Sequence, residues 1–237
     1  MWVILMKKFL TLIFAFILVL SFAGCTSEKV DSDAIKFKKE YESLNGEKND
    51  NGKAYRELNI SSNNPFIYAT AEEISNKIAN RETFIVYFGF KECPWCRSVL
   101  EELIHAASDS DVDVIYYVDV TGIRDVKSFD DNGKIVTTNE GDEYYLKLLE
   151  QLADVLDEYT LKVDEEEIEV GEKRIYAPNV VAVSSGKAIQ LETGISEELT
   201  DPYGELTDSI QKYSYNKFKC LMECLEEESI SCQKNKC

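Results

Sequence analysis

Residues 83–96 read Thr-Phe-Ile-Val-Tyr-Phe-Gly-Phe-Lys-Glu-Cys-Pro-Trp-Cys, and this stretch predicts a strand followed directly by a helix. Its first half is a nearly continuous apolar run rich in β-branched and aromatic residues, which predicts a central strand buried on both faces. The second half predicts the start of a helix, because proline fits the first helical position. Residues three apart lie on one side of a helix, so the sulfurs of Cys93 and Cys96 are placed to bond.

Strands and helices alternate outward from this stretch. We expect helices at 33–44, 71–79, 93–107, 142–159 and 206–227. We expect extended segments at 54–60, 83–89, 112–120, 167–175, 179–183 and 187–191. Strand–helix–strand connections favour a parallel sheet, and the hairpin at 179–191 adds antiparallel strands. The sequence therefore predicts an α/β fold of three layers with a mixed central sheet.

The cysteine pair carries the predicted chemistry. Cys93 would lie near the N-cap, where backbone N–H groups and the helix dipole favour a thiolate. The thiolate is the nucleophile, so Cys93 is the expected attacker and Cys96 the expected resolving thiol. A zinc site would need further ligands within reach, and the only candidates are tail cysteines more than 120 residues away. An inert structural disulfide is the other alternative.

Residues 84–97 resemble the second core strand and active-site helix of the thioredoxin superfamily. The run from Ala177 to Lys187 resembles the second hallmark of that superfamily, a cis-proline just before a β-hairpin. The resemblance implies that Pro178 is cis and shapes the substrate groove, that the Ala177 backbone pairs with substrate, and that Trp95 forms part of the rim. More narrowly, the chain resembles secreted thioredoxin-like proteins of Gram-positive bacteria, often labelled bacteriocin transport accessory proteins.

The chain departs from thioredoxins at two places. Thioredoxins carry a buried aspartate six residues before the first cysteine, as proton acceptor for the resolving thiol, and here that position is Tyr87. Glu92 is the nearest acidic residue, and we expect it to be solvated. The Pro-Trp dipeptide between the cysteines is nearest to the glutaredoxin Pro-Tyr, which leaves the direction of the reaction open.

The N-terminus has the form of a secretory signal peptide. Met6-Lys-Lys precedes an apolar run from Phe9 to Leu20, and Phe22-Ala-Gly-Cys25 follows. The end of this segment resembles the lipobox of bacterial lipoproteins, although Phe22 stands where an aliphatic residue is usual. We therefore expect Cys25 to be lipidated and the chain to be anchored to the extracytoplasmic face of the bacterial membrane. The alternative is an uncleaved membrane anchor, for which the apolar run is short.

Four more cysteines lie near the C-terminus: Cys220, Cys224, Cys232 and Cys237. Export would place them where disulfides persist, so we expect structural disulfides. Four cysteines allow three pairings, and the sequence does not choose among them. Electron-relay thiols and a metal site are the alternatives.

Composition excludes several function classes. Asp and Glu number 44 against 26 Lys and Arg, for a formal net charge of −18, which repels nucleic acids. The one histidine, His105, excludes His-rich metal sites, and helix geometry puts it about 18 Å from Cys93, on a solvated face. The acidic run 109–113 has calcium-loop spacing, but valines occupy the required Gly and Glu positions. We expect neither a metal nor an organic cofactor.

These observations divide the chain into parts with separate roles. We expect a signal peptide at 1–24, a tether with a short helix at 25–53, a thioredoxin-like domain at 54–212 with an insertion at 122–173, and a Cys-rich helical tail at 213–237. The expected function is thiol–disulfide exchange with exported cysteine-containing proteins, supported by a membrane or extracytoplasmic redox partner. The alternative is a non-catalytic binding protein, with an accessory role in bacteriocin export or a chaperone-like role.

Overall fold

The structure is a computed structural model that describes residues 31–163 and 166–226. Five helices lie in these residues: α1 (Asp33–Glu42), α2 (Ala71–Ala79), α3 (Pro94–Asp109), α4 (Glu143–Gln151) and α5 (Asp208–Glu226). Nine strands lie there: β1 (Phe66–Tyr68), β2 (Phe84–Gly89), β3 (Ile115–Asp119), β4 (Val126–Phe129), β5 (Ile135–Asn139), β6 (Glu158–Val163), β7 (Glu166–Lys173), β8 (Asn179–Ser184) and β9 (Lys187–Glu192).

A mixed sheet of five strands forms the centre of the fold, in the order β1-β3-β2-β8-β9. Strand β3 pairs parallel with both β1 and β2, whereas β8 pairs antiparallel with β2 and β9 pairs antiparallel with β8. All six residues of the central strand β2 are buried. The predicted α/β fold with a mixed sheet is confirmed.

Helices cover both faces of this sheet. On one face Tyr87 of β2 packs into a core with residues of α1, α3 and α5. On the other face Val86 and Phe88 pack into a second core with residues of α2 and α4. Burial on both sides explains why polar and apolar residues do not alternate along β2.

The prediction of a strand at 54–60 is wrong, and the edge strand is β1 instead. Leu58 and Ile60 are buried, at 4% and 1% exposure, but side chains hold their backbone in place of a strand ladder. The side chain of Asn45 bonds both N–H and C=O of Leu58, at 3.0 and 2.7 Å. The N–H of Ile60 donates to Glu42 at 2.7 Å. Hydrogen bonds from side chains therefore satisfy the backbone N–H and C=O groups that pairing with a neighbouring strand would otherwise satisfy.

The helix predicted at 142–159 is shorter than expected, because α4 ends at Gln151 and the chain turns before β6. Leu152 and Leu156 remain buried at 0% and 4% exposure, so the turn buries the apolar positions that suggested more helix. The extended segment expected at 167–175 is β7, which pairs with β6 outside the main sheet. The expected insertion thus contains two hairpins, β4-β5 and β6-β7, with α4 between them.

Both terminal helices belong to the core. Phe37 and Tyr41 of α1, a helix expected to belong to the tether, are fully buried, and Phe37 stacks on Phe66 at 4.0 Å between ring centroids. Helix α5 runs through the expected boundary at residue 213 and buries Phe218 and Leu221. Among the described residues, no helix combines the length and apolarity needed to cross a membrane.

Candidate active site

Cys93 lies where the central strand passes into α3. It is the N-cap residue of that helix, with Pro94 at the first helical position, as the sequence predicts. The backbone N–H of Cys93 bonds the C=O of Phe90 at 3.2 Å, which closes the turn between strand and helix. The Cys93 sulfur accepts the N–H of Cys96 at 3.0 Å. A cysteine sulfur thus does what a serine or aspartate oxygen does at most helix starts.

The pKa values of the two cysteines are shifted in opposite directions. The pKa of Cys93 is lowered, chiefly by a hydrogen bond from the Cys96 side chain and further by the N–H groups of Cys96 and Trp95, which outweigh burial. The pKa of Cys96 is raised well above its usual value by burial and by the neighbouring Cys93. Their exposures are 3% and 0%. Near neutral pH, Cys93 is therefore the better thiolate and Cys96 holds its proton.

A shallow groove of about 290 Å³ lies beside the cysteine pair. Its lining includes Trp95, Ala177 and Pro178, the three residues that the resemblance assigns to substrate. The Ala177–Pro178 peptide bond is cis, and the Cys93 sulfur, when it carries its proton, donates to the C=O of Ala177 at 3.4 Å. The structure therefore brings together the five site residues predicted around the dithiol.

Sequence reasoning missed Arg124, which comes from the expected insertion. Its guanidinium is half-buried and helps to lower the pKa of Cys93. Burial, and then repulsion from Arg174, lower the pKa of Arg124 itself. A signal existed in the sequence, because Arg124 follows β3 by a few residues, and the carboxyl ends of adjacent parallel strands share one edge of a sheet.

Cys96, the expected resolving cysteine, has a buried tyrosine beside it. The Tyr87 side chain is fully buried in the same core as Cys96 and lowers the pKa of that thiol, although burial outweighs this effect. Its hydroxyl lies 3.2 Å from the hydroxyl of Tyr41 on α1. Glu92, the nearest acidic residue in sequence, is exposed, as expected. The position that the sequence marks as a departure from thioredoxins is thus occupied by a polar group near the thiol.

The remaining candidates lie away from this site. His105 is 61% exposed in its side chain and lies 3.6 Å from both Glu102 and Asp109, as expected of a solvated helix face. Within residues 31–163 and 166–226, no cluster of three metal-binding side chains could hold an ion.

The cysteines outside the dithiol are placed only in part. Cys220 is disulfide-bonded, and the Cys224 sulfur donates to Oε1 of Gln190 at 3.0 Å. Cys25, Cys232 and Cys237 lie outside the described residues, as does the expected signal peptide.

Comparison with known proteins gives no matching family model and no matching curated protein.

Proposed function

We propose that the chain is an extracytoplasmic thiol–disulfide oxidoreductase of thioredoxin-like fold. The observation that carries the proposal is the unequal pair at the start of α3: a capping Cys93 with lowered pKa beside a buried Cys96 with raised pKa. A structural disulfide needs no such inequality. An exchange enzyme needs one thiolate to attack and a second thiol held in reserve.

The reaction follows from these roles. The Cys93 thiolate attacks one sulfur of a substrate disulfide, which forms a mixed disulfide and releases one substrate thiolate. Cys96 then loses its proton and attacks the Cys93 sulfur, which releases the second thiolate and leaves Cys93 and Cys96 bonded. The substrate disulfide gains the two electrons that the dithiol loses. The reverse sequence oxidises a substrate dithiol, and the reduction potential decides which direction prevails.

The groove supports a peptide substrate in extended form. Ala177 presents its carbonyl at the Cys93 sulfur, Pro178 follows it, and Trp95 offers an apolar wall. A strand of substrate laid along Ala177 would bring its own sulfur to Cys93. The expected substrates are exported proteins that contain cysteines, and a lipid on Cys25 would keep the enzyme at the membrane with its redox partner.

One observation favours a second candidate, the non-catalytic binding protein. Cys93 is only 3% exposed, so a bulky disulfide reaches its sulfur only if the groove residues or the insertion give way. In a protein that uses the groove for contact alone, the cysteines would remain bonded and unreactive.

Trapping experiments test the proposed function. In Cys96→Ser the mixed disulfide cannot be resolved, so exported proteins should co-purify with the variant and be released by reductant. In Cys93→Ser the attacking sulfur is gone, and far less should be captured. The variant with both substitutions is the matched control and should capture nothing.

The outcomes separate the two candidates. Asymmetric capture through Cys93 supports the oxidoreductase. Equal capture by both single variants contradicts the assigned roles. No capture by either, together with a wild-type disulfide that resists dithiothreitol until the protein unfolds, supports the binding protein instead.

A further inference from the structure

Three tyrosines lie beneath Cys96 in the core between the sheet and α1. Tyr87 comes from β2, Tyr41 from α1 and Tyr117 from β3, and all three are 0% exposed. The rings of Tyr87 and Tyr117 stack with centroids 5.6 Å apart. Phenylalanine would fill the same space, whereas each buried hydroxyl costs free energy unless it is hydrogen-bonded.

The three hydroxyls lie between Cys96 and Glu40. Tyr87 shares the buried core with Cys96, close enough to lower the pKa of that thiol, and its oxygen lies 3.2 Å from that of Tyr41. The Tyr41 ring packs edge-on against the Tyr117 ring, with centroids 6.0 Å apart. The Tyr117 hydroxyl donates to Oε1 of Glu40 at 3.3 Å. Three neutral hydroxyls thus lie in a row between a buried thiol and a carboxylate.

The two ends of the chain differ in their access to water. Cys96 is fully buried, so no solvent base reaches its proton directly. Glu40 is half-buried on α1 and can exchange protons with solvent. We propose that the three hydroxyls carry the proton of Cys96 to Glu40 when Cys96 attacks the mixed disulfide. The inference rests on the proposed thiol–disulfide exchange and concerns its second step.

The transfer balances without any further reactant. Cys96 gives its proton to the Tyr87 oxygen, Tyr87 gives its own to Tyr41, Tyr41 to Tyr117, and Tyr117 to the Glu40 carboxylate. Each tyrosine ends neutral, with its O–H turned the opposite way. The Cys96 thiolate bonds the Cys93 sulfur as the substrate thiolate leaves, and Glu40 later passes its proton to water.

The electrostatics of the core fit a relay through neutral groups. Burial raises the pKa of all three hydroxyls, so no stable tyrosinate forms on the way.

Charged groups face both ends of the chain. Those around Glu40, Tyr68 and Tyr117 are Asp33, Asp119 and Lys36, whose amine lies 3.7 Å from the centre of the Tyr68 ring. Those around Cys96 and Tyr41 are the Cys93 thiolate, Arg124 and the buried Arg97. The Cys93 charge disappears once the mixed disulfide has formed.

The test separates the two exchange steps in time. Reduced protein is mixed rapidly with an excess of an aromatic disulfide, dithiobis-nitrobenzoate, whose thiolate absorbs visible light. A first release reports attack by Cys93, and a second release, missing in Cys96→Ser, reports attack by Cys96. Both rates are followed between roughly pH 6 and pH 9, on either side of the pKa of a free thiol.

Glu40→Gln keeps a hydrogen-bond acceptor but cannot take a proton. At the acidic end of the range we expect it to slow the second release about 100-fold, with the first release unchanged. Tyr41→Phe and Tyr117→Phe should do the same, because each removes one of the hydroxyls that pass the proton on. Tyr68→Phe is the matched control, because Tyr68 also bonds Glu40 but lies outside the chain, and it should not change the second release.

Each outcome has a distinct meaning. Absence of the first release in the wild type would overturn the proposed function itself. Two releases whose rates and pH profiles are the same in the wild type and in folded Glu40→Gln would overturn the relay alone. Glu40 is half-buried, so this variant keeps the test available even if a buried Tyr→Phe change prevents folding.

Discussion

Replacement of Arg97 by methionine should reveal what fastens the start of α3 to the rest of the protein. Arg97 is 1% exposed, one residue after Cys96. Its guanidinium donates to the carbonyls of Arg56 and Tyr41, to the carbonyl of Lys91 at 3.4 Å and to Oδ1 of Asn45 at 3.0 Å. Arg97 thus fixes two segments to α3: residues 54–60, which were wrongly expected to form a strand, and the loop that leads to Cys93.

The magnitude follows from these contacts. A hydrogen bond that involves a charged group contributes about 1.5–3 kcal/mol, and methionine removes such bonds from the part-buried carbonyl of Arg56 and the buried carbonyl of Tyr41. Part of the loss is offset, because the desolvation cost of the guanidinium disappears as well. Burial is strong enough to lower the pKa of Arg97, so that offset is real. We expect Arg97→Met to lower the free energy of unfolding by about 2–4 kcal/mol.

Urea unfolding of the reduced protein measures the change. The midpoint should fall at an unchanged slope, because the native fold is retained. Lys187→Met is the control, since Lys187 is exposed and its loss should change stability by less than about 0.5 kcal/mol. If Arg97→Met also stays within that limit, the carbonyl contacts do not fasten the helix as argued.

The remaining predictions concern the dithiol and the anchor. Iodoacetamide should alkylate Cys93 well below pH ~8.5, the usual thiol pKa, and Cys96 only slowly, as liquid chromatography and mass spectrometry of the peptides would show. Arg124→Gln should move the Cys93 profile to higher pH, because a favourable positive charge is lost, and an unmoved profile would exclude that role. Cys25→Ala should abolish acyl labelling and release the protein from the membrane fraction, whereas unchanged retention would indicate an uncleaved anchor.

Local signals predicted the centre of the fold well. The apolar run gave the central strand, and the proline after Cys93 gave the start of α3, because both follow from burial and from the missing N–H of proline. The hairpin β8-β9 turns at Ser185 and Gly186, where Gly186 has φ +75°. A Cβ at that glycine would lie 2.3 Å from the carbonyl oxygen of Ile78, so no residue with a side chain fits at this position without a shift of the backbone.

Partners distant in sequence account for what could not be predicted. The backbone of Leu58 is held by Asn45, and the backbone of Arg56 by Arg97, and no local pattern marks such pairs. The proposed relay likewise needs Glu40 and Tyr41 from α1, a helix that composition assigns to the tether. Helical periodicity also fails after Gln151, because a turn buries the same apolar positions as further helix would.

The sulfur at the helix start links the stability of α3 to the redox state of the dithiol. The sulfur of reduced Cys93 accepts the N–H of Cys96, most strongly when it is a thiolate, and a disulfide sulfur is a far weaker acceptor. Oxidation therefore removes a cap, and an N-cap contributes about 1 kcal/mol. By the thermodynamic cycle, the same free energy stabilises the reduced form and raises the reduction potential by about 20 mV. Any residue that strengthens the hydrogen bond from the Cys96 N–H to the Cys93 sulfur therefore makes the dithiol a stronger oxidant, even if that residue does not contact a substrate.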